Sequence, residues 1–344
     1  MKFRLLALAM SVFVALTITL HALNTRTSSA PDFASVVSVK DLPEVIIEIP
    51  AGASGSDVAV LLFENGVVKS SAAYFRVAVG DKRSERVSPG AHRLTVEISA
   101  KQALEQLLDP SRIPGLLRVF EGAWKSEVIE MLRVYGFSEV EIVEAFKLVR
   151  LPNGFSDAEG LLFPAQYSFA KGTSAQQVVQ EMVKRFSSEA TGQEILNATG
   201  KYSPLELLTI ASIVQAEGDT KDFSKVARVV LNRLKISMPL QMDSTVHYVK
   251  KVRGQIFLST SSTLIKSAYN TYKNYGLPPT PIGNPGVAAM RATLNPSVGD
   301  WLFFITVAPG DTRFTASNSE FLDWKRLYEK YRRAGAFNWL GQRF

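Results

Sequence analysis

Residues 205–214 are apolar at almost every position: Leu205, Leu207, Leu208, Ile210, Ala211, Ile213 and Val214. A helix that is apolar on most faces lies buried inside a domain. Its start is encoded by Ser203, Pro204 and Glu206, which supply an N-cap, a first-position proline and a capping box. Gly218 marks its end. Helical spacing recurs at Val178, Val179, Met182, Val183 and Phe186, and again over 223–235. In the second stretch Val226, Ala227, Val230, Leu231 and Leu234 share a face, and Asp222 is the expected N-cap. Apolar runs at 45–49, 116–120 and 301–307 predict strands, as does 93–98 before a helix over 101–108. The turn signal Asn284-Pro285-Gly286 precedes a predicted helix over 287–294. A strand over 313–317 should pair with 301–307 as a hairpin, and 321–333 reads as an amphipathic helix. Together these elements predict an α+β chain.

Residues 52–66 align without gaps to residues 122–136. The matches are Gly52/Gly122, Ala53/Ala123, Ser56/Ser126, Asp57/Glu127, Val58/Val128, Leu62/Leu132 and Gly66/Gly136. Each copy follows an apolar strand, so 45–150 reads as a duplicated α+β region. Strand–turn–helix units of this size resemble LysM-like peptidoglycan-binding modules; a duplicated fold with no ligand is the plainer reading. At the N-terminus, Lys2 and Arg4 precede an apolar run over 5–20. That pattern predicts an uncleaved single-pass anchor within 1–30, with the N-terminus cytoplasmic and the bulk of the chain outside the cytoplasmic membrane. A short polar linker over 31–44 would follow.

Composition narrows the partners. The 344-residue chain carries a formal charge of +7, which suits anionic surfaces, but it has no dense basic run interleaved with aromatics, so nucleic acid is a poor partner. It has no cysteine, which excludes disulfides and thiolate metal sites, and its three histidines are scattered. The chemistry then rests on Glu217, an acid in the last turn of the buried 203–217 helix. Partial desolvation and the negative helix end both disfavour its charge, and so favour a carboxyl that can donate a proton near neutral pH. From the residues alone, a surface acid beside a turn remains the alternative, and Asp219 is the competing carboxylate. Gln241, Asp243, Ser244, Thr245 and Tyr248 crowd one short stretch, and Tyr269, Asn270, Thr271 and Tyr272 another. Amides, carboxylates and aromatics in such density suit a carbohydrate cleft, and equally suit a capped, internally satisfied loop.

Three blocks in order carry a family resemblance: IASIVQAEG, VARVVLNRLKISMPLQMDSTVHY and YNTYKNYGLPPTPIGNPG. They resemble the endolytic murein (lytic) transglycosylases of the MltG/YceG-like family. Many members have Glu where this chain has Gln215, with a second Glu two residues on; here only Glu217 remains. The resemblance implies that Glu217 is catalytic and that 151–344 forms the catalytic domain. It implies substrate contacts from Gln241, Asp243, Thr245, Tyr248, Tyr269 and Asn270, with Glu159 and Tyr167 beside the cleft. It also implies work on nascent glycan strands at the bacterial cell membrane, beside wall-synthesis enzymes such as penicillin-binding proteins, and no metal or cofactor. The family's histidine near 313 is replaced here by Arg313, and its Glu-His pair by Glu320-Phe321. A non-catalytic wall-binding scaffold, and a hydrolase using Glu217 with Asp219 or Asp243, are the competing classes.

Overall fold

A computed structural model of the protein describes residues 30–36, 42–253 and 261–337. The chain folds as two compact units, one running through Leu116 and including Ser168–Lys171, the other comprising Leu117–Tyr167 and the chain from Gly172. The anchor expected over 5–20 lies outside the described residues, and among those described no helix is long and apolar enough to cross a membrane.

In the first unit, β1 (Glu44–Ile49) is followed by α1 (Gly55–Glu64), α2 (Ser71–Gly80), β2 (Gly90–Thr95) and α3 (Ala100–Leu107). β1 and β2 pair antiparallel, with Ile47 opposite His92 and Ile49 opposite Gly90. Alternation along β1 turns Ile47 and Ile49 inward against Val58, Leu62, Leu94, Ile98 and Leu104.

The second unit opens with the same circuit: β3 (Leu117–Val119), α4 (Lys125–Tyr135), α5 (Glu139–Leu148) and β4 (Ala165–Tyr167). β3 and β4 again pair antiparallel, Leu117 opposite Tyr167. The repeat therefore extends from a strand and one helix to a strand–helix–helix–strand loop. Its second copy closes at Tyr167, beyond residue 150. The matched positions have local jobs. Asp57 and Glu127 each accept the N-cap backbone N–H of their helix, from Ser54 at 2.8 Å and Trp124 at 2.7 Å. Gly52, Gly122, Gly66 and Gly136 all sit at positive φ, at the turns that enter and leave those helices.

The rest of the second unit is helical around a central rod. In order come α6 (Ala175–Ser188), α7 (Ala190–Leu196), α8 (Pro204–Glu217), α9 (Phe223–Lys235), α10 (Asp243–Lys250) and α11 (Val287–Leu294). The hairpin of β5 (Phe303–Ala308) and β6 (Asp311–Thr315) follows, then α12 (Asn318–Arg333). α8 forms as its sequence requires: Ser203 Oγ accepts from Glu206 N at 3.3 Å, and Glu206 Oε2 accepts from Ser203 N at 2.7 Å. Residues Leu208 through Val214 are buried, among α7, α9, α10 and α11. At roughly 1.5–3 kcal/mol per buried Leu, Ile or Val, that burial outweighs the β-branched residues' weak helix preference. Asp222 does not cap α9. The chain enters that helix from a 3-10 turn over Thr220–Asp222, and Asp222 is itself in helical geometry, so its side chain cannot reach back as an N-cap would.

Candidate active site

α8 ends on Glu217. Gly218 leaves it in extended backbone and closes against α9, its Cβ position 3.2 Å from Val226 Cγ2. Glu217 thereby stands at the rim of the buried rod and opens into a cavity of about 650 Å³. The last turn of α8 forms one wall through Ser212, Gln215 and Glu217, and the start of α10 forms the next through Asp243, Ser244 and His247. Phe304, Ile305 and Thr306 of β5 and Tyr328 of α12 close the other side.

The carboxyl of Glu217 is held above the ordinary carboxylate range. Burial is the main cause; the neighbouring Asp243 charge adds to it, while hydrogen bonding from Ser244 and the Arg233 cation oppose it. Ser244 N donates to Glu217 Oε1 at 3.0 Å. That N–H belongs to the first turn of α10, so the acid lies between the negative end of its own helix and the positive end of another. The second dipole is absent from a local sequence reading. Arg233 is 6% exposed and is tied down by the carbonyls of Leu302, at 2.6 Å, and Leu240. It is thus a fixed buried cation.

The polar residues of the sequence divide into two groups. Asp243 lines the cavity beside Glu217, its Oδ1 accepting from the Tyr272 hydroxyl. Gln241 is exposed at a positive φ of 49°, outside the cavity lining, with its backbone N–H on Thr271 O at 3.1 Å. Thr245 is fully buried, donating to Met242 O at 2.7 Å and touching Thr271 Oγ1 at 3.0 Å. Asn270 is 1% exposed and pins its loop, its Nδ2 on Thr263 O at 3.0 Å and Ile265 O at 2.8 Å. Tyr269 meets Thr280 Oγ1 at 2.7 Å, and Tyr167 donates to Phe163 O at 2.6 Å. Tyr248 donates to Glu159 Oε2 at 2.8 Å, and Glu159 Oε1 accepts from Lys125 N at 2.9 Å. Glu159 is 2% exposed, and burial pushes its pKa up to about 7 against those two hydrogen bonds. It joins the start of α4 to α10 behind the cavity wall. Asp219 is exposed and outside the lining. Among the described residues, no group of three or more His, Cys, Asp or Glu could hold a metal ion.

The sequence pattern of the YceG-like family matches residues 47–326. The chain belongs to the YceG-like family. An endolytic murein transglycosylase of Bacillus subtilis (strain 168) is 31% identical over 308 residues, 83% of this chain and 84% of that protein. The protein of the same name from Streptococcus pneumoniae (strain D39) is 29% identical over 312 residues, 80% of this chain and 56% of that protein. A solved yceG-like protein of Listeria monocytogenes superposes with a TM-score of 0.54 at 27% identity, covering 82% of this chain and 99% of that one.

In this YceG-like chain the cavity also draws on residues outside the stretches read for chemistry. Glu121, Gly122 and Trp124 come from the β3–α4 turn, Arg253 from beyond α10, and Phe337 from beyond α12. Arg253 stacks on Trp124 with its guanidinium 4.0 Å from the ring centre, and Glu127 grips it at 2.5 and 2.6 Å. Gln215 bridges the walls, its Oε1 accepting from Gly286 N at 2.9 Å. Asn284 fixes the turn that carries Glu121. Its Oδ1 accepts from Leu162 N at 2.8 Å, its Nδ2 donates to Ala123 O at 2.7 Å, and its carbonyl accepts from Gly122 N at 2.7 Å. Asn284→Ala strands the buried N–H of Leu162, while Ala123 O keeps the backbone N–H of residue 284 at 2.9 Å. It should cost about 1–3 kcal/mol in urea unfolding and lower activity through the loosened turn. A loss under about 0.5 kcal/mol would show that water satisfies the Leu162 N–H.

Proposed function

We propose that the protein is a membrane-anchored endolytic murein transglycosylase. It would cut the bond between N-acetylmuramic acid and N-acetylglucosamine in nascent glycan strands and leave 1,6-anhydro ends. The observation that carries this reading is Glu217: one carboxyl, raised by burial, opening into a cavity of about 650 Å³ walled by polar and aromatic groups. The two relatives named endolytic murein transglycosylase support it. Protonated Glu217 donates to the glycosidic oxygen as the bond to the muramyl anomeric carbon breaks. The muramyl C6 hydroxyl attacks that carbon and its proton returns to Glu217, so no water is consumed and the acid is regenerated. Because the nucleophile belongs to the substrate, it acts at high effective concentration without a second protein carboxylate. Asp243, held by the Tyr272 hydroxyl, orients the sugar and offsets positive charge at the anomeric carbon. Residues 1–30 anchor the chain, the two strand–helix–helix–strand circuits bind peptidoglycan as LysM-like modules, and wall-synthesis enzymes supply the nascent strand.

A second reading has one observation in its favour: Glu217 and Asp243 share the cavity, as an acid and a base would in a hydrolase. Digestion of purified, uncrosslinked strands in ¹⁸O-water separates the two. Anhydro-muramyl ends free of solvent oxygen are expected; labelled reducing ends would replace the transglycosylase by a hydrolase, and intact strands would leave a wall-binding scaffold.

A further inference from the structure

Two buried polar atoms in the cavity wall have no hydrogen-bond partner: Ser244 Oγ and His247 Nε2. They stand three residues apart on α10 and so project from the same face. Ser244 is also the residue whose backbone N–H holds Glu217. A buried polar group left without a partner is costly, and in a cavity wall a water, an ion or a ligand completes it.

We infer that Ser244 Oγ and His247 Nε2 bind the 2-acetamido group of the sugar seated beside Glu217, and so select N-acetylated strands over de-N-acetylated ones. The inference rests on the proposed function above and names the sugar substituent that the same site reads. Desolvation holds the His247 pKa below its ordinary value, so the ring is neutral and Nε2 is a single donor or a single acceptor. The serine hydroxyl supplies whichever role the histidine leaves open. One donor and one acceptor side by side complement an amide, which offers one C=O and one N–H. A sugar hydroxyl would engage either atom without needing both. A carboxylate or phosphate would face the Asp243 carboxylate in the same wall. The acetyl methyl group needs apolar neighbours, and Val252, Ile282 and Phe304 line the cavity, Val252 with its N–H on the His247 carbonyl at 3.2 Å.

The test compares kcat/KM of the full-length protein on uncrosslinked strands bearing N-acetylated or chemically de-N-acetylated glucosamine. Wild type should prefer the acetylated strand by about tenfold or more. The freed amine is a cation that Asp243 attracts, so the observed preference understates what the amide contacts contribute. His247→Ala should lose most of the preference by losing rate on the acetylated strand, and Ser244→Ala part of it. His247→Gln, which restores a donor and an acceptor, should recover some. A His247→Ala protein that keeps the wild-type preference, or that slows equally on both strands, would overturn the inference while leaving the proposed reaction standing. A wild type that forms no anhydro ends on either strand would remove both.

Discussion

Glu217→Gln should lower kcat/KM on glycan strands by roughly a hundredfold to ten-thousandfold, the range general acid catalysis supplies, with no loss of thermal stability. The isosteric amide keeps the acceptor that Ser244 N meets at 3.0 Å, so the junction of α8 and α10 survives. The change removes only the titratable proton. Arg233 and Asp243 act on that carboxyl with opposite signs, and burial decides the balance in favour of the protonated form. Activity of the wild type should therefore fall as pH rises through the Glu217 pKa, which lies above the ordinary 4.5. A variant that retained a tenth or more of the wild-type rate would move the acid elsewhere, with Asp243 the nearest candidate.

Glu159→Gln should make the protein more stable than wild type at pH 8, and the gap should close near pH 4. The Glu159 carboxyl titrates at about 7 in the fold against 4.5 for the free side chain. Between those values the folded protein binds more protons than the unfolded chain, so wild-type stability falls as pH rises. A shift from 4.5 to about 7 corresponds to on the order of 3 kcal/mol, present in full above pH 7 and absent below pH 4.5. Glu159 is 2% exposed, so solvent screening removes little of it. Gln can keep both contacts: its oxygen accepts from Lys125 N, and its amide donates to the Tyr248 oxygen once that hydroxyl turns. Urea midpoints of both proteins from pH 4 to 8 check this. Parallel curves would mean that Glu159 titrates in the fold as it does in the unfolded chain, with burial offset by Lys125 and Tyr248.

Elements with local causes were legible in the chain. α8 carries its own cap, α11 the turn that precedes it, and both form where the pattern put them. The repeat was legible because its matched glycines and acids do identical backbone work in both copies. The closing strand β4 was not: three residues, Ala165–Tyr167, carry no period, and they become a strand only by pairing with β3. For the site, sequence placed Glu217 and Asp243 on the cavity. It could not separate them from Thr245 and Asn270, because a polar side chain that lines a cavity and one that pins a buried loop are the same residue type until its partners are known. Glu121, Arg253 and Phe337 reach the cavity from turns and ends far apart in the chain, and nothing local marks them. His247 lies inside the stretch read as substrate-binding, but its role follows from an atom with no partner, which only coordinates reveal.

The proposed reaction depends on Glu217 holding its proton in the free protein. The direct measurement is a ¹³C NMR titration of glutamate side-chain carboxyls, with the Glu217 signal assigned by its loss in Glu217→Gln. A midpoint above 4.5 is the predicted result, matching the fall in activity with pH. A midpoint at or below 4.5 would contradict it, because the group at the end of α8 would then be an ionised carboxylate with no proton to give.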